Sequence, residues 1–352
     1  MKRPASAFRK TIPPPSLSNV LRMAAGAGLC LLAAASPAIP GPRQSSGLPG
    51  QTIKASSVVV NVYAIAEGRH GRLIRDLSKD DFELTDEGQP QKIEHFSQET
   101  NVPLNLGIAI DTSVSQSQLL GTEQQAAKKF VRAVLHGDDQ AFVMNFDVDA
   151  KLLRDFTSAP ADLAQAIDSA EINTTGRSIL ADASSKPTGG THLYDAVYLA
   201  SNELMKSRVG RKVLVLVTDG EDQGSKENLQ DATESAEKAD VIVYSILVND
   251  PEFYELMGMT YHGGTSVRRL ARDTGGSTIR VRSVDQIGDA FNQIALELRS
   301  QYRLGYSPAN LRHDGSFRRI QVKVRGHNYT VRARAGYYDQ ADERADAANS
   351  HP

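Results

Sequence analysis

Four short stretches of uninterrupted apolar residues constrain the fold more than any other feature of this 352-residue sequence. They are LNLGIAI at 104–110, AFVMNF at 141–146, KVLVLV at 212–217 and VIVYSILV at 241–248. A strand that is apolar at every position is buried on both faces, which is typical of a parallel sheet covered by helices. Segments with a helical pattern separate these strands. The sequence therefore predicts a doubly wound, mostly parallel α/β sheet over residues 102–300.

Strands with alternating polar and apolar residues are predicted on either side of this domain. Residues 56–101 form an N-terminal β segment and residues 301–339 a C-terminal one. Either segment alone would make a thin, marginal sheet. We therefore expect the two to pair into one small β module, into which the α/β domain is inserted. Gly326-His327-Asn328 is expected to form a hairpin turn between strands at 319–325 and 329–335.

The N-terminus has the three-part plan of a secretory signal peptide, predicted over residues 1–38. A basic start is followed by a small, apolar run at 23–35 and by a small-residue cleavage site, Ser36-Pro37-Ala38. The apolar run is too short to span a bilayer comfortably. We expect cleavage near Ala38, no remaining membrane span, and a secreted or periplasmic protein; an uncleaved N-terminal anchor is the alternative. Cleavage would also remove Cys30, so the core would stabilise the fold without disulfides.

Charge argues against a nucleic-acid partner. The chain has 40 Lys and Arg against 42 Asp and Glu, and residues 39–352 have 35 against 42. Phosphate binding needs a net positive surface. One face of residues 318–334 is basic, and it suits either an anionic polymer or a solvated outer strand face. Its members are Arg318, Arg319, Lys323, Arg325, Arg332 and Arg334. Two polar segments complete the chain, a flexible lead-in at 39–55 and a disordered tail at 340–352.

Acidic residues follow two of the buried strands at the point where each strand ends. Asp111 comes directly after the strand at 104–110, and Asp219 follows the strand at 212–217 with one threonine between them. In an open α/β sheet, ligands bind at the carboxyl ends of the strands, where the strand order reverses. If these strands are neighbours there, the two carboxylates face each other. Such a pair repels, unless one carboxylate takes a proton or a cation lies between them.

Hydroxyl residues complete a candidate site for a divalent cation. Ser113 and Ser115 lie in the loop after Asp111, and Thr191 follows two glycines at the start of a helix. Carboxylate and hydroxyl oxygens together suit Mg²⁺ first, with Mn²⁺ or Ca²⁺ as alternatives, and do not suit Zn²⁺. Each position also has a plain structural interpretation, in which the acids and Thr191 cap helices and the serines are ordinary loop hydroxyls. The loop at 249–265 either covers this site or is a long surface loop.

The pattern Asp111-x-Ser113-x-Ser115, with Thr191 and Asp219, resembles the metal-ion-dependent adhesion site of von Willebrand factor type A (VWA) domains. The resemblance covers residues 102–300. The flanking β segments and the phrase LSKDDFELTDEGQPQKI are similar to a bacterial group, the VWFA-related domain family described from Acidobacteria. The resemblance implies a Rossmann-like VWA sheet with a metal on its top edge, and the two serines and Thr191 as direct ligands. It implies direct or water-mediated contact from Asp111 and Asp219, and a last ligand from an acidic side chain of a protein partner.

The sequence therefore predicts a metal-dependent protein-binding module for adhesion or scaffolding, and not an enzyme. The motifs G-x-S-x-G, H-E-x-x-H and the Walker-type phosphate loop are absent from the sequence. Two alternatives stay open. One is a metal-assisted hydrolase, similar to a phosphoesterase, that uses the same cation as a Lewis acid. The other is a structural envelope protein whose site holds no metal.

Overall fold

The computed structural model of the chain describes residues 59–98, 102–174, 190–256, 258, 260–312 and 314–339. The signal peptide, the lead-in and the C-terminal tail predicted from the sequence lie outside the described residues. The strands are β1 (Val60–Glu67), β2 (Leu73–Ile74), β3 (Phe82–Asp86), β4 (Gln89–Gln91), β5 (His95–Gln98), β6 (Leu104–Asp111), β7 (Gln140–Phe146), β8 (Ala150–Thr157), β9 (Arg211–Thr218), β10 (Val241–Val248), β11 (Thr278–Val281), β12 (Tyr302–Tyr306), β13 (Phe317–Val324), β14 (Thr330–Ala333) and β15 (Gly336–Tyr338).

The helices lie between these strands, mostly within the central α/β part of the chain. They are α1 (Leu120–Val134), α2 (Pro160–Asp168), α3 (Leu193–Leu199), α4 (Leu229–Lys238), α5 (Pro251–Leu256), α6 (Gly264–Asp273) and α7 (Ile287–Leu298). A π-helical turn over Ala200–Met205 extends α3. Local sequence explains two of the starts: Pro160 opens α2, and the Asn228 side chain accepts hydrogen bonds from the first turn of α4. Within the described residues, no helix is both long and apolar enough to cross a bilayer.

Six strands form the central sheet in the order β11-β10-β9-β6-β7-β8. All neighbouring strands run parallel except β8, which is antiparallel to β7 at one edge. Every residue of β6, β9 and β10 is buried, as their mostly apolar sequences predict. Gly107 in β6 allows this packing, because a Cβ there would lie 2.4 Å from the ring of Phe142. The prediction of a doubly wound, mostly parallel α/β sheet is confirmed.

Two hydrophobic cores cover the two faces of this sheet. One core contains the apolar sides of α1, α2 and α7, with Phe130 and Phe291 in contact at its centre. The other contains those of α3, α4 and α6. Because strand side chains alternate between faces, neighbouring residues such as Leu214 and Val215 belong to different cores. Packing on both faces therefore holds the sheet in place, and it fixes the strand ends from which the loops at the carboxyl edge start.

Strands from the two flanking segments pair with each other in a β module. β1 pairs with β12 and β14 in one sheet, and β3 pairs with β13 in another. A third hydrophobic core contains residues of both sheets, including Val62 and Leu304 from the first and Leu84 and Val322 from the second. β5 and β12, which lie just before and just after the α/β part, are paired antiparallel.

The predicted hairpin at Gly326-His327-Asn328 is wrong, although the chain does turn there and Gly326 has a φ of 67°. β13 and β14, on either side of the turn, lie in different sheets. β13 pairs with β15 over Phe317–Arg319 and with β3 over Ile320–Val324. The strand after the turn pairs with β1 instead of returning along β13.

Four arginines of the predicted basic face pair with acids. Arg325 pairs with Glu83 on the exposed side of β13, where Arg319 and Lys323 are also exposed, as expected for a solvated outer face. The other three arginines are buried or half-buried and do not form a free site for an anionic polymer. Arg318 is 3% exposed and lies 3.0 Å from the buried carboxylate of Asp86. That carboxylate also accepts hydrogen bonds from the hydroxyls of Tyr306 and Tyr337. Arg332 pairs with Glu67 and with Glu297 of α7, and Arg334 pairs with Asp240. Arg332 and Arg334 therefore connect the β module to the α/β part through ion pairs.

Candidate metal centre

Asp111 and Asp219 lie side by side at the carboxyl edge of the sheet. β6 and β9 are direct neighbours, with Ile110 opposite Val217 in the register. The two carboxylates are 0% and 1% exposed. Thr218 links the strands, since its hydroxyl donates a 2.6 Å hydrogen bond to Oδ2 of Asp111. Strand order reverses at this point, because β7 lies on one side of β6 and β9 on the other.

The loop after β6 carries both serine hydroxyls towards Asp219. Its first turn is closed by the backbone N–H of Ser113, which donates to Oδ1 of Asp111 at 2.9 Å. A 3₁₀ turn over Val114–Gln116 then curls the loop. The Oγ atoms of Ser113 and Ser115 are 3.0 Å apart, and Ser115 Oγ donates to Oδ2 of Asp219 at 2.6 Å. Four of the five predicted residues are therefore joined in one chain of hydrogen bonds.

Thr191 reaches the same edge of the sheet through its backbone. Its carbonyl accepts a 2.8 Å hydrogen bond from the backbone N–H of Gln223, four residues after Asp219. The next residue, His192, donates its backbone N–H to the carbonyl of Asp147, which follows β7. Thr191 is buried, and among the described residues it does not join the side-chain hydrogen bonds that connect the other four.

Burial and mutual repulsion disturb the titration of the two acids. Burial raises the pKa of Asp111 to about 7, and the negative charge of Asp219 adds to the rise; hydrogen bonds from Ser113 and Thr218 oppose it. Burial also raises the pKa of Asp219, against hydrogen bonds from Ser115 and Tyr254. Within the described part of the chain, neither carboxylate forms an ion pair with a Lys, Arg or His. The charge of the pair therefore has no counterion from these residues.

This donor set fits a hard divalent cation. The described residues contain no cluster of three or more His, Cys, Asp or Glu placed to hold a metal ion. The carboxylates and hydroxyls at this edge supply only oxygen donors, the kind that Mg²⁺, Mn²⁺ and Ca²⁺ prefer. A cation between Asp111 and Asp219 would remove the repulsion that otherwise keeps a proton on the pair.

The loop at 249–265 contacts the centre directly, so the interpretation as a merely long surface loop does not hold. Tyr254 of α5 donates its hydroxyl to Oδ2 of Asp219 at 2.7 Å, and the Tyr261 hydroxyl donates to the Asp219 carbonyl at 2.7 Å. The carboxylate of Glu221 accepts hydrogen bonds from two backbone N–H groups of the loop, at His262 and Gly263. The sequence shows that this loop contains aromatic residues, but it does not indicate that two of its tyrosines contact Asp219.

Residues 106–221 match the family model described as the von Willebrand factor type A domain, and this stretch contains all five candidate residues. The match covers about a third of the chain, and it supports the prediction of a VWA domain over those residues. A comparison with curated proteins finds no match.

Solved structures with a similar fold come from bacteria and from a mussel. One is the conserved hypothetical protein BatB of Bacteroides thetaiotaomicron, with 19% identity over 55% of this chain and 97% of that one, at a TM-score of 0.41. Another is the vWF domain of the type V pili tip protein Mfa5 of Porphyromonas gingivalis, with 14% identity, 55% and 94% coverage and a TM-score of 0.42. A third is proximal thread matrix protein 1 of the mussel byssus with a zinc-occupied MIDAS motif, with 15% identity, 61% and 50% coverage and a TM-score of 0.44. Identities this low say nothing about function.

Proposed function

We propose that this chain is an exported protein-binding module for adhesion or scaffolding, which captures an acidic side chain of a partner through a divalent cation. Asp111, Ser113, Ser115, Thr191 and Asp219 would hold the cation, with Mg²⁺ as the first choice and Mn²⁺ or Ca²⁺ as alternatives. The bound cation would supply an electrophilic position for a carboxylate oxygen. The proposal assigns no catalysis to the chain.

The observation that carries this proposal is a pair of buried carboxylates that have no counterion among the described residues and are set among hydroxyl donors. Leaving two such charges unpaired is costly, so a site of this kind needs a proton or a cation. Neutral Ser and Thr oxygens add little negative charge to the site, so a divalent cation bound there would keep part of its positive charge. That remaining charge favours an anionic ligand from outside, and a carboxylate is the common anion on protein surfaces.

Calorimetry with Mg²⁺ and with Mn²⁺ tests the metal site. We expect the wild-type protein to bind one cation saturably, and Asp111→Ala and Asp219→Ala to bind none. Asp155→Ala is the matched control, since Asp155 is an exposed acid on β8 away from this edge. Binding that survives both Asp→Ala changes would contradict the assigned site.

A peptide array tests the partner chemistry. Peptides that contain Asp or Glu are compared with otherwise identical peptides that contain Asn or Gln, each in Mg²⁺ and in EDTA. We expect retention that needs both the acid and the metal, and that is lost in Ser113→Ala. Retention that is equal for the acidic and amide peptides, or unchanged in EDTA, would argue against capture through the metal.

Two further assays address the alternatives. Hydrolysis of generic phosphoesters that requires the metal and is lost in Ser113→Ala would support a hydrolase instead.

Mass spectrometry of the protein recovered from an expressing bacterium tests the export. We expect an N-terminus near residue 39 in the exported fraction, and an intact N-terminus in that fraction would contradict cleavage.

A further inference from the structure

Glu123 is an acid on the core-facing side of a helix. It lies in the first turn of α1, and its side chain is 0% exposed. Ala127 and Phe130 follow it at positions i+4 and i+7 on the same face, and both belong to the core that also contains Ile110 and Val217. Those two residues directly precede Asp111 and Thr218. The helix therefore presents a carboxyl group to the part of the sheet that leads into the metal centre.

The carboxyl oxygens of Glu123 have no partner among the described residues. Neither Oε1 nor Oε2 makes a hydrogen bond there, and Oε1 of the nearby loop residue Gln116, also fully buried, makes none. A buried polar group without a hydrogen bond costs several kcal/mol in an apolar environment. Gln116 belongs to the loop that carries Ser113 and Ser115. Buried water commonly supplies the hydrogen bonds that such unpartnered oxygens lack.

The charges that act on Glu123 belong to the metal centre. Burial raises its pKa well above the ordinary value, and the charges of Asp111 and Asp219 raise it further; no cationic side chain lowers it. Glu123 is nevertheless not placed with these acids as a direct ligand, since the described residues hold no such cluster of three. An alanine or leucine at this core position would avoid the free-energy cost of burying a carboxyl group without a hydrogen bond. The presence of an acid there therefore indicates a specific role.

We propose that Glu123 is a further carboxylate of the metal centre, which holds the cation through buried water and by charge without touching it. This inference rests on the proposed function, because it needs a cation at Asp111 and Asp219. With the cation in place, its positive charge favours the ionised form of Glu123, and the three carboxylates no longer oppose one another. Groups that support a metal from behind its direct ligands commonly change metal affinity by 10- to 100-fold.

Calorimetric titration of the full-length protein with Mn²⁺ at pH 8 tests this assignment. We expect Glu123→Gln, which keeps the shape and removes the charge, to raise the dissociation constant by about 10-fold or more. Glu123→Asp keeps the charge and should recover most of the affinity. Glu237→Gln is the matched control, because Glu237 of α4 is also a buried glutamate with a raised pKa, which arises from burial and from charges other than those of Asp111 and Asp219. Circular dichroism checks that each variant is folded.

The outcomes separate this inference from the proposed function. If the wild-type protein binds no Mn²⁺, the proposed metal site fails and Glu123 loses its role with it. If the wild-type protein binds Mn²⁺ and Asp111→Ala does not, but Glu123→Gln binds as tightly as wild type, only the role of Glu123 is overturned. Equal weakening in Glu123→Gln and Glu123→Asp would indicate a packing defect and would also overturn it.

Discussion

Replacing Asp111 by Asn removes one of two repelling charges and is expected to flatten the pH dependence of folding stability in the metal-free protein. The wild-type protein should lose stability between pH 5 and pH 8, and Asp111→Asn should lose much less. The substitution keeps the size of the side chain, and an amide Oδ1 still accepts the hydrogen bond from Ser113. The comparison therefore isolates the charge.

The expected size follows from the pKa of Asp111, which is 3.8 for an ordinary aspartate and is raised by burial to about 7 in the fold. Because the folded pKa is raised, the stabilising effect of the bound proton is fully present below pH 3.8 and is lost as the pH rises through 7. In this window the free energy of unfolding falls by about 1.4 kcal/mol per pH unit. From pH 5 to pH 7 the loss is about 3 kcal/mol, and above pH 7 the curve levels off. Asn has no proton to release, so this contribution disappears.

Urea unfolding at pH 5, 6, 7 and 8 in EDTA measures the effect, followed by circular dichroism because the chain has no Trp. The weaker contact with Thr218, whose hydroxyl now faces an amide, shifts the variant by about 1 kcal/mol at every pH and leaves its slope unchanged. Excess Mg²⁺ at pH 8 should restore stability to the wild-type protein and not to the variant.

Parallel pH profiles for the wild-type protein and Asp111→Asn would refute this reasoning. They would mean that the acid carries no raised pKa, and that the carboxylates are compensated in some other way. Asp155→Asn serves as the control, since an exposed acid should leave the profile unchanged.

Two further predictions concern the scaffold. Gly107→Ala should lower the free energy of unfolding by about 1–3 kcal/mol, because the added Cβ meets a phenyl ring of β7. Gly121→Ala in α1, where the added Cβ meets nothing within 4 Å, should raise the free energy of unfolding by up to about 1 kcal/mol. Denaturant unfolding compares the two variants, and equal effects would contradict the packing argument. Arg318→Leu should cost about 3–5 kcal/mol by leaving Asp86 buried and unpaired, while the neighbouring exposed Arg319→Leu should stay within about 0.5 kcal/mol. A small change on Arg318→Leu in thermal or urea unfolding would show that the hydrogen bonds from Tyr306 and Tyr337 are enough to stabilise the buried Asp86 carboxylate.

The sequence predicted those parts of the fold that local patterns determine. Strands buried on both faces are mostly apolar on both sides, so β6, β9 and β10 could be identified without a structure. The position of Asp111 and Asp219 followed from the rule that parallel strands end at the same edge. Their role as metal ligands stays a prediction, since the geometry brings them together but does not test what they bind.

Contacts between distant segments could not be predicted in the same way. Tyr254 reaches Asp219 only because α5 folds back over the sheet edge. Arg318 lies on the inward face of β13 with Ile320 and Val322, and the acid that pairs with it there lies 232 positions earlier in the chain. Glu123 was hidden for a related reason, because a helical pattern shows which face is buried and not which charges lie opposite.

The pairing of β5 with β12 has a mechanical consequence. Gln98 lies opposite Tyr302 and His95 opposite Gly305, so the strands on either side of the VWA unit are hydrogen-bonded to each other. The outer ends of the two strands, His95 and Gly305, face each other at the same end of this ladder, so tension applied there would open the ladder one pair at a time. The pairing of β1 with the other edge of β12 adds a second set of hydrogen bonds. The α/β part would carry no tension until the ladder had opened, so a partner bound at its sheet edge would be held by a domain that is still relaxed.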